Sequence, residues 1–316
     1  MKFESLFQIF KERKNELFII KVIISSTLIA FLVWSCNLQS IISELHSVSL
    51  ISLIPVVFLY IVTLFLLSFR WRYLLCSMNY KISINESFLA FSAGILLSDV
   101  SPGRIGDMTR PYFVRDHIPI TVGLASVILD RYCDFIGKII FCGLAVLLFS
   151  SLFPQEMTII FIIISIIPVF LLSMSWIYME KGLTFLNRPS LQRIHQFGSE
   201  IHSSLKRLTN PKLILPVATM WTIFIAFMHG FRLILLAEIL GYSLPIVDIT
   251  ILQSLISSLA LVPITLSGIG LVEGGLTAVF SSYGIPLATG VTIAVLDRMI
   301  TVCVHIICGA WYVIKK

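Results

Sequence analysis

Six stretches of this chain stay apolar for long enough to cross the ~30 Å hydrocarbon core of a bilayer as helices. They cover 17–38, 50–69, 120–153, 158–178, 213–240 and 287–314. A soluble domain carries roughly 25% charged residues. Here only 13% are charged and 57% are hydrophobic, too few charges to cover a water-facing surface of 316 residues. The chain is therefore expected to be an all-α polytopic membrane protein. Disordered, collagenous, secreted disulfide-rich and soluble Rossmann or barrel classes are excluded. The net charge of +6 reads as a topological bias rather than a nucleic-acid surface, so no nucleic-acid partner is expected.

The first run follows Lys11, Arg13 and Lys14. It is too long for a signal-peptide core and lacks a small-x-small cleavage site, so it reads as a retained first span. Trp34 stands before Ser35-Cys36 where a lipoprotein site needs a small residue. Cys36, Cys76, Cys133, Cys142, Cys303 and Cys308 lie in or beside apolar runs without CxxC or His at ligand spacing. They read as small membrane-buried side chains, and no metal or cofactor is expected.

Two further apolar runs, 88–98 and 249–262, would reach only ~16 and ~21 Å as helices. Each breaks at a Pro/Gly cluster and resumes as a second short run. Irregular backbone at membrane depth must be sheltered by protein or water, so both read as half-depth helices that turn back. The basic residues agree with that count. With an inside start, the cytoplasmic segments take Lys2, Lys11, Arg13, Lys14; Arg70, Arg72, Lys81; Lys181, Arg188, Arg193, Lys206, Arg207, Lys212; and Lys315, Lys316. The outer loops near 39–49, 154–157, 241–248 and 282–286 take none. This separation predicts six full crossings plus two re-entrant helical hairpins, with both termini in the cytoplasm of an inner-membrane, multi-pass protein. The chain reads as a single membrane domain, 1–316, whose 1–16 is a cytoplasmic segment. Residues 180–211 form a cytoplasmic linker. Its Leu191, Ile194, Phe197, Ile201 and Leu205 recur every three to four residues, predicting an amphipathic helix on the inner leaflet.

The two broken runs resemble each other. One reads Ser98 to Asp107 and contains Pro102, Gly103 and Gly106; the other reads Val262 to Glu273 and contains Pro263, Gly268 and Gly270. Each is followed, some 25 residues after its last Gly, by a helix carrying Leu-Asp-Arg: Leu129-Asp130-Arg131 and Leu296-Asp297-Arg298. Three crossings separate the hairpins, so the halves, 85–178 and 213–314, are expected to form an inverted repeat of the kind transporters use.

Charges at membrane depth are costly and usually functional. Around the first hairpin lie Asp99, Arg104, Asp107 and Arg110, and the next helix carries Asp130, Arg131, Asp134 and Lys138. The second half adds Arg232, Glu238, Glu273, Asp297 and Arg298. Some must simply pair to fix helix positions. The sharper expectation is a polar cavity where Arg104, Arg110, Arg131 and Arg298 receive an anion while Asp107, Asp130, Asp134, Glu273 and Asp297 orient them. Guanidinium forks suit phosphate oxygens, and helix N-termini add to the attraction. His229 and His305 read as lone structural histidines. P-loop, Ser-His-Asp and H-E-x-x-H patterns are absent, so no catalytic residue is assigned.

The run Ser101-Pro102-Gly103-Arg104-Ile105-Gly106-Asp107-Met108-Thr109-Arg110-Pro111-Tyr112 resembles the PGRxGExxRPY segment of the lysylphosphatidylglycerol synthase transmembrane-region proteins, the flippase-like integral membrane proteins. Asp130-Arg131-Tyr132-Cys133-Asp134 resembles the family's ERxxD, and Pro263 to Glu273 its PxxxGGxGxxE. Asp replaces the family's Glu at Asp107 and Asp130, and Ser267 replaces the first Gly of the later pair. The bifunctional members add a cytosolic aminoacyl-transferase domain, which nothing in this sequence could supply. The resemblance implies a lipid flippase whose substrate is an anionic lipid, either a phospholipid or a polyprenyl-phosphate-linked sugar. An integral-membrane glycosyl- or phosphotransferase with Asp107, Asp130 or Glu273 as base is a second reading. An accessory subunit docking a glycosyltransferase partner through 180–211 is a third.

Overall fold

The computed structural model describes residues 19–32, 34–35, 38–101, 104–149, 192–261 and 264–315, with isolated positions between 156 and 174. The expected N-terminal segment 1–16, most of the span 158–178, linker residues 180–191, and Pro102, Gly103 and Pro263 lie outside them. The described chain is helical, and it forms no strand. In order come α1 (Ile19–Leu32), α2 (Leu38–Ser47), α3 (Ile54–Ser77) and α4 (Ile84–Asp99). A 3-10 turn (Ile105–Thr109), α5 (Arg110–Phe113), α6 (Ile120–Phe149) and α7 (Gln192–Leu205) follow. The chain closes with α8 (Pro211–Ile239), α9 (Ile246–Ser257), a 3-10 turn (Ser258–Leu261), α10 (Leu271–Ser282) and α11 (Leu287–Lys315). Four of these, α3, α6, α8 and α11, are long and apolar enough to cross a membrane.

Local chemistry sets the ends. At the start of α4 the Ser83 hydroxyl accepts from the Glu86 N–H while Glu86 accepts from the Ser83 N–H, a reciprocal cap that satisfies two orphan donors. Partial burial would push the Glu86 carboxyl up. The Ser83 hydrogen bonds and His117 outweigh it and hold the group below its usual range. After α4 the chain doubles back on the helix end. Gly106 packs so tightly there that a Cβ would fall 2.3 Å from the Leu97 carbonyl carbon. The second break is held from the opposite end of the sequence, where Leu266 N–H donates to Ser25 of α1.

Four expectations change. Arg70 does not follow the spanning helix as part of a connecting segment. The helix runs eight residues past the apolar stretch, to Ser77, and Arg70 is buried inside it at 1% exposure because a carboxylate compensates it there. The outer loop near 39–49 is largely α2, whose Glu44 accepts from Thr289 at 2.6 Å and whose Ile41 packs with Val291 of α11. The first broken run starts at Ile84, and its return limb is only the 3-10 turn and the four-residue α5; the second returns as the twelve-residue α10. The described part of the amphipathic linker, α7, also turns inward. Leu205 and Leu208 enter the core beside Trp71, and Arg207 donates to the Tyr80 hydroxyl at 2.8 Å.

Besides the small Ile41–Val291 cluster, the described residues form two large apolar cores. One gathers the C-terminal part of α3, α4, the start of α6, the start of α8 and the end of α11. The other gathers the end of α6, the second half of α8, α9, α10 and the start of α11. Along α6, α8 and α11 the same helix contributes to one core at each end. Between the cores, near the middle of each helix, the polar residues are left facing one another.

Candidate functional site

That polar level encloses a cavity of about 170 Å³, large enough for several waters at ~30 Å³ each. Six cations line it, Arg70, Arg104, Arg131, Lys138, Arg232 and Arg298, against four carboxylates, Asp99, Asp134, Glu273 and Asp297. Charges this deep persist only when paired and hydrogen-bonded, and the pairing is thorough.

In the first half Asp130 accepts from Arg70 at 2.8 Å and from Arg110 at 2.9 Å. Arg110 reaches Asp107 at 2.6 Å with its other nitrogen, and Asp107 also pairs with Arg131. Arg131 lies 3.7 Å from Asp134, which holds Lys138 at 3.4 Å. Arg110 is completely buried, laid 3.8 Å over the Phe91 ring and against Gly94, where a Cβ would fall 2.4 Å from its Cγ. Asp107, Arg110 and Asp130 thus stand behind the cavity lining, not in it. In the second half Arg232 grips Asp297 with two nitrogens, at 2.6 and 3.0 Å, and Arg298 reaches Glu273 at 2.5 Å. Glu273 also accepts the Gly270 N–H at the start of α10. Glu238 is exposed near the end of α8 and takes no part.

The two halves are wired alike. In each, the Asp of Leu-Asp-Arg pairs with an arginine on a long earlier helix, Arg70 with Asp130 and Arg232 with Asp297. In each, the following arginine pairs with the acid just past the break, Asp107 with Arg131 and Glu273 with Arg298. The halves also touch reciprocally. Arg70 donates to Thr222, ten residues before Arg232, and Arg232 lies over the ring of Tyr60, ten residues before Arg70. Reciprocal contact of this kind is what a two-fold axis between like units produces.

Arg104 breaks the pattern. Among the described residues no carboxylate holds it, and its Nε is buried without a partner. Its backbone sits at φ +56°, ψ +33°, the left-handed region that side chains other than glycine adopt at a cost. Arg131 Nε and Arg232 Nη1 are also buried and unpartnered. Strain and unmet donors concentrate at functional sites. The lining thus carries six cations against four carboxylates, and one of its guanidiniums, Arg104, meets no carboxylate among the described residues.

Of the residues expected from sequence, the structure places Arg104, Arg131, Asp134, Glu273, Asp297 and Arg298 in the lining. Gly106, Gly268 and Gly270 sit at the two breaks, the last two at φ +79° and +86°. Sequence reading missed Tyr60, Arg70 and His305. Arg70 sits at the end of an apolar run and looks like a loop residue. His305 is not alone, since Asp99 and Tyr60 meet it from positions 206 and 245 residues away.

The profile of the lysylphosphatidylglycerol synthase TM region matches residues 18–309. The chain is also similar to a UPF0104 membrane protein of Pyrococcus horikoshii, 22% identical over 93% of this chain and 96% of that one. A UPF0104 membrane protein of Methanocaldococcus jannaschii is 23% identical over 79% of this chain and 81% of its own length.

Proposed function

The chain belongs to the lysylphosphatidylglycerol synthase TM region family, and from that membership and the cavity we propose that it moves an anionic lipid between leaflets. The phosphate of the head group enters at Arg104 and is shared with Arg131, Arg232 and Arg298 while the acyl or polyprenyl tail stays in lipid. The observation that carries this reading is the Arg104 guanidinium, which no carboxylate among the described residues holds, in a cavity whose other arginines and Lys138 each have an ion-pair partner. A planar fork of N–H donors is matched to phosphate oxygens.

The duplicated wiring supports an inverted repeat whose two re-entrant breaks meet near the bilayer midplane; six crossings is the count drawn from the apolar runs of the sequence. The repeated unit then starts at α3 and α8, since Arg70 and Arg232 belong to the duplicated pairs. Exchange of roles between the two units opens the cavity to either side in turn. The described residues that flank the breaks, 104–109 and 264–270, are the elements that move.

The test is reconstitution in phosphatidylcholine vesicles carrying a fluorescent phosphatidylglycerol or a fluorescent polyprenyl-phosphate sugar, with the outer leaflet quenched chemically. Movement of at least one anionic lipid, well above that of a zwitterionic analogue, is expected. Rates equal to those of protein-free vesicles for every anionic lipid refute the reading.

A further inference from the structure

Tyr60 on α3, His305 on α11 and Asp99 at the end of α4 form a line of hydrogen bonds that anion binding does not require. His305 Nδ1 lies 2.5 Å from Asp99 Oδ2, and Nε2 lies 2.5 Å from the Tyr60 hydroxyl. All three line the cavity, and Tyr60 and His305 are almost fully buried. The duplicated wiring does not contain this line. The residue seven after Arg131 is Lys138, whereas the residue seven after Arg298 is His305.

Both ring nitrogens are engaged, so the two partners define two states. In the neutral ring Nδ1–H donates to Asp99 and Nε2 accepts the Tyr60 O–H. One proton from cavity water added to Nε2 makes an imidazolium that donates to both partners. The Tyr60 hydrogen then turns toward the cavity. Loading forms one Nε2–H bond and breaks one O–H bond of a hydronium ion in the cavity, leaving water, and release reverses both.

The surrounding charges decide when that proton is held. Asp99 faces the ring from α4, with Arg104 just beyond that helix. From α8 come His229 and Arg232, the latter 4.5 Å over the Tyr60 ring. Glu273 lines the cavity from α10, and Asp297 and Arg298 belong to the same helix as His305. Among the described residues α2 contributes no titratable group to the lining. Arg104, Arg232 and Arg298 oppose an added positive charge while the cavity is empty, and an anion seated among them removes that opposition. Anion and proton therefore favour each other's binding, and the coupling is reciprocal. We infer that Asp99, His305 and Tyr60 form a proton-loading site through which movement of an anionic lipid is coupled to movement of a proton in the same direction. This rests on the lipid-moving reading above.

The experiment reconstitutes the full chain in phosphatidylcholine vesicles with fluorescent phosphatidylglycerol and imposes a pH gradient of either sign. Wild type should move lipid severalfold faster toward the alkaline side than against it. In His305→Gln and Tyr60→Phe the ratio of the two rates should fall to one; the phenyl ring of the latter keeps its place under Arg232. Asp99→Asn, which removes the counter-charge of an imidazolium, should move the half-maximal pH downward. Melting temperature and gel filtration establish folding. A folded His305→Gln with the wild-type ratio overturns the inference, as does a wild type indifferent to the gradient. Should wild type move no lipid, the lipid reading fails separately. The site is then judged by the 15N shifts of the His305 ring, where a protonation change with pH supports it and a single unchanging state overturns it.

Discussion

Arg104→Gly separates function from stability at the centre of the cavity. The wild-type residue holds a left-handed backbone, φ +56°, which costs a non-glycine residue about 1–2 kcal/mol. Glycine relieves that cost and removes a buried, unpartnered Nε at the same time. The variant should therefore melt no lower than wild type, the opposite of what removing a structural ion-pair member would do. Binding should suffer. A charge-assisted contact contributes about 1.5–3 kcal/mol, which is roughly tenfold to more than a hundredfold in affinity. The assay is calorimetric titration of a short-chain phosphatidylglycerol into purified protein at fixed salt, followed by vesicle transport of its long-chain fluorescent analogue. Arg104→Lys, which keeps the charge and loses the fork, should fall between the two. An Arg104→Gly protein that is folded and binds within twofold of wild type refutes the assignment of Arg104 as the anion's first contact.

Asp107→Asn leaves Arg110 with Asp130 and Arg131 with the more distant Asp134; stripping a partner from a buried pair costs about 3–5 kcal/mol. Its melting temperature should drop sharply, and an unchanged one would show that Asp107 does not hold these arginines. Ser267 sits at φ +48° with a buried hydroxyl that no partner meets, so Ser267→Gly should stabilise the protein by about 1 kcal/mol in thermal unfolding. Single cysteines placed at 98–101 or 104–106 should react from the cytoplasm and those at 264–272 from outside in at least one state; labelling from one side only in every state contradicts the inverted repeat. Ser83→Ala should loosen the start of α4 at a cost of about 1 kcal/mol, read as faster amide exchange at 84–88. The Glu86 carboxyl is held below the usual carboxylate range, so its contribution is complete above the unfolded value and is lost as pH falls through the lower folded value. Exchange at the same amides should then rise on acidification, and a pH-independent rate would refute the role of the carboxylate.

Much of the fold is legible in one dimension because a bilayer leaves few alternatives. Runs of apolar residues longer than the hydrocarbon is thick must become helices, and the cores of α3, α6, α8 and α11 follow from run length alone. The two breaks and the Leu-Asp-Arg signatures are likewise visible, since Pro, Gly and charge are rare in such helices and stand out by position. Which charges meet is a different matter. Arg70 pairs with Asp130 across 60 residues and Arg232 with Asp297 across 65, and no periodicity carries partners over such distances. Arg70 looks like a loop residue in the sequence because an isolated charge ends an apolar window. Burial becomes tolerable only when packing of α3 on α6 brings Asp130 within 2.8 Å. The same holds for His305, an ordinary helix residue until α3 and α4 deliver Tyr60 and Asp99 to its two nitrogens. Sequence alone determined that this chain enters a membrane and where its helices break; the tertiary structure decided which cavity guanidinium meets no carboxylate among the described residues, because only three-dimensional packing assigns each buried charge its partner.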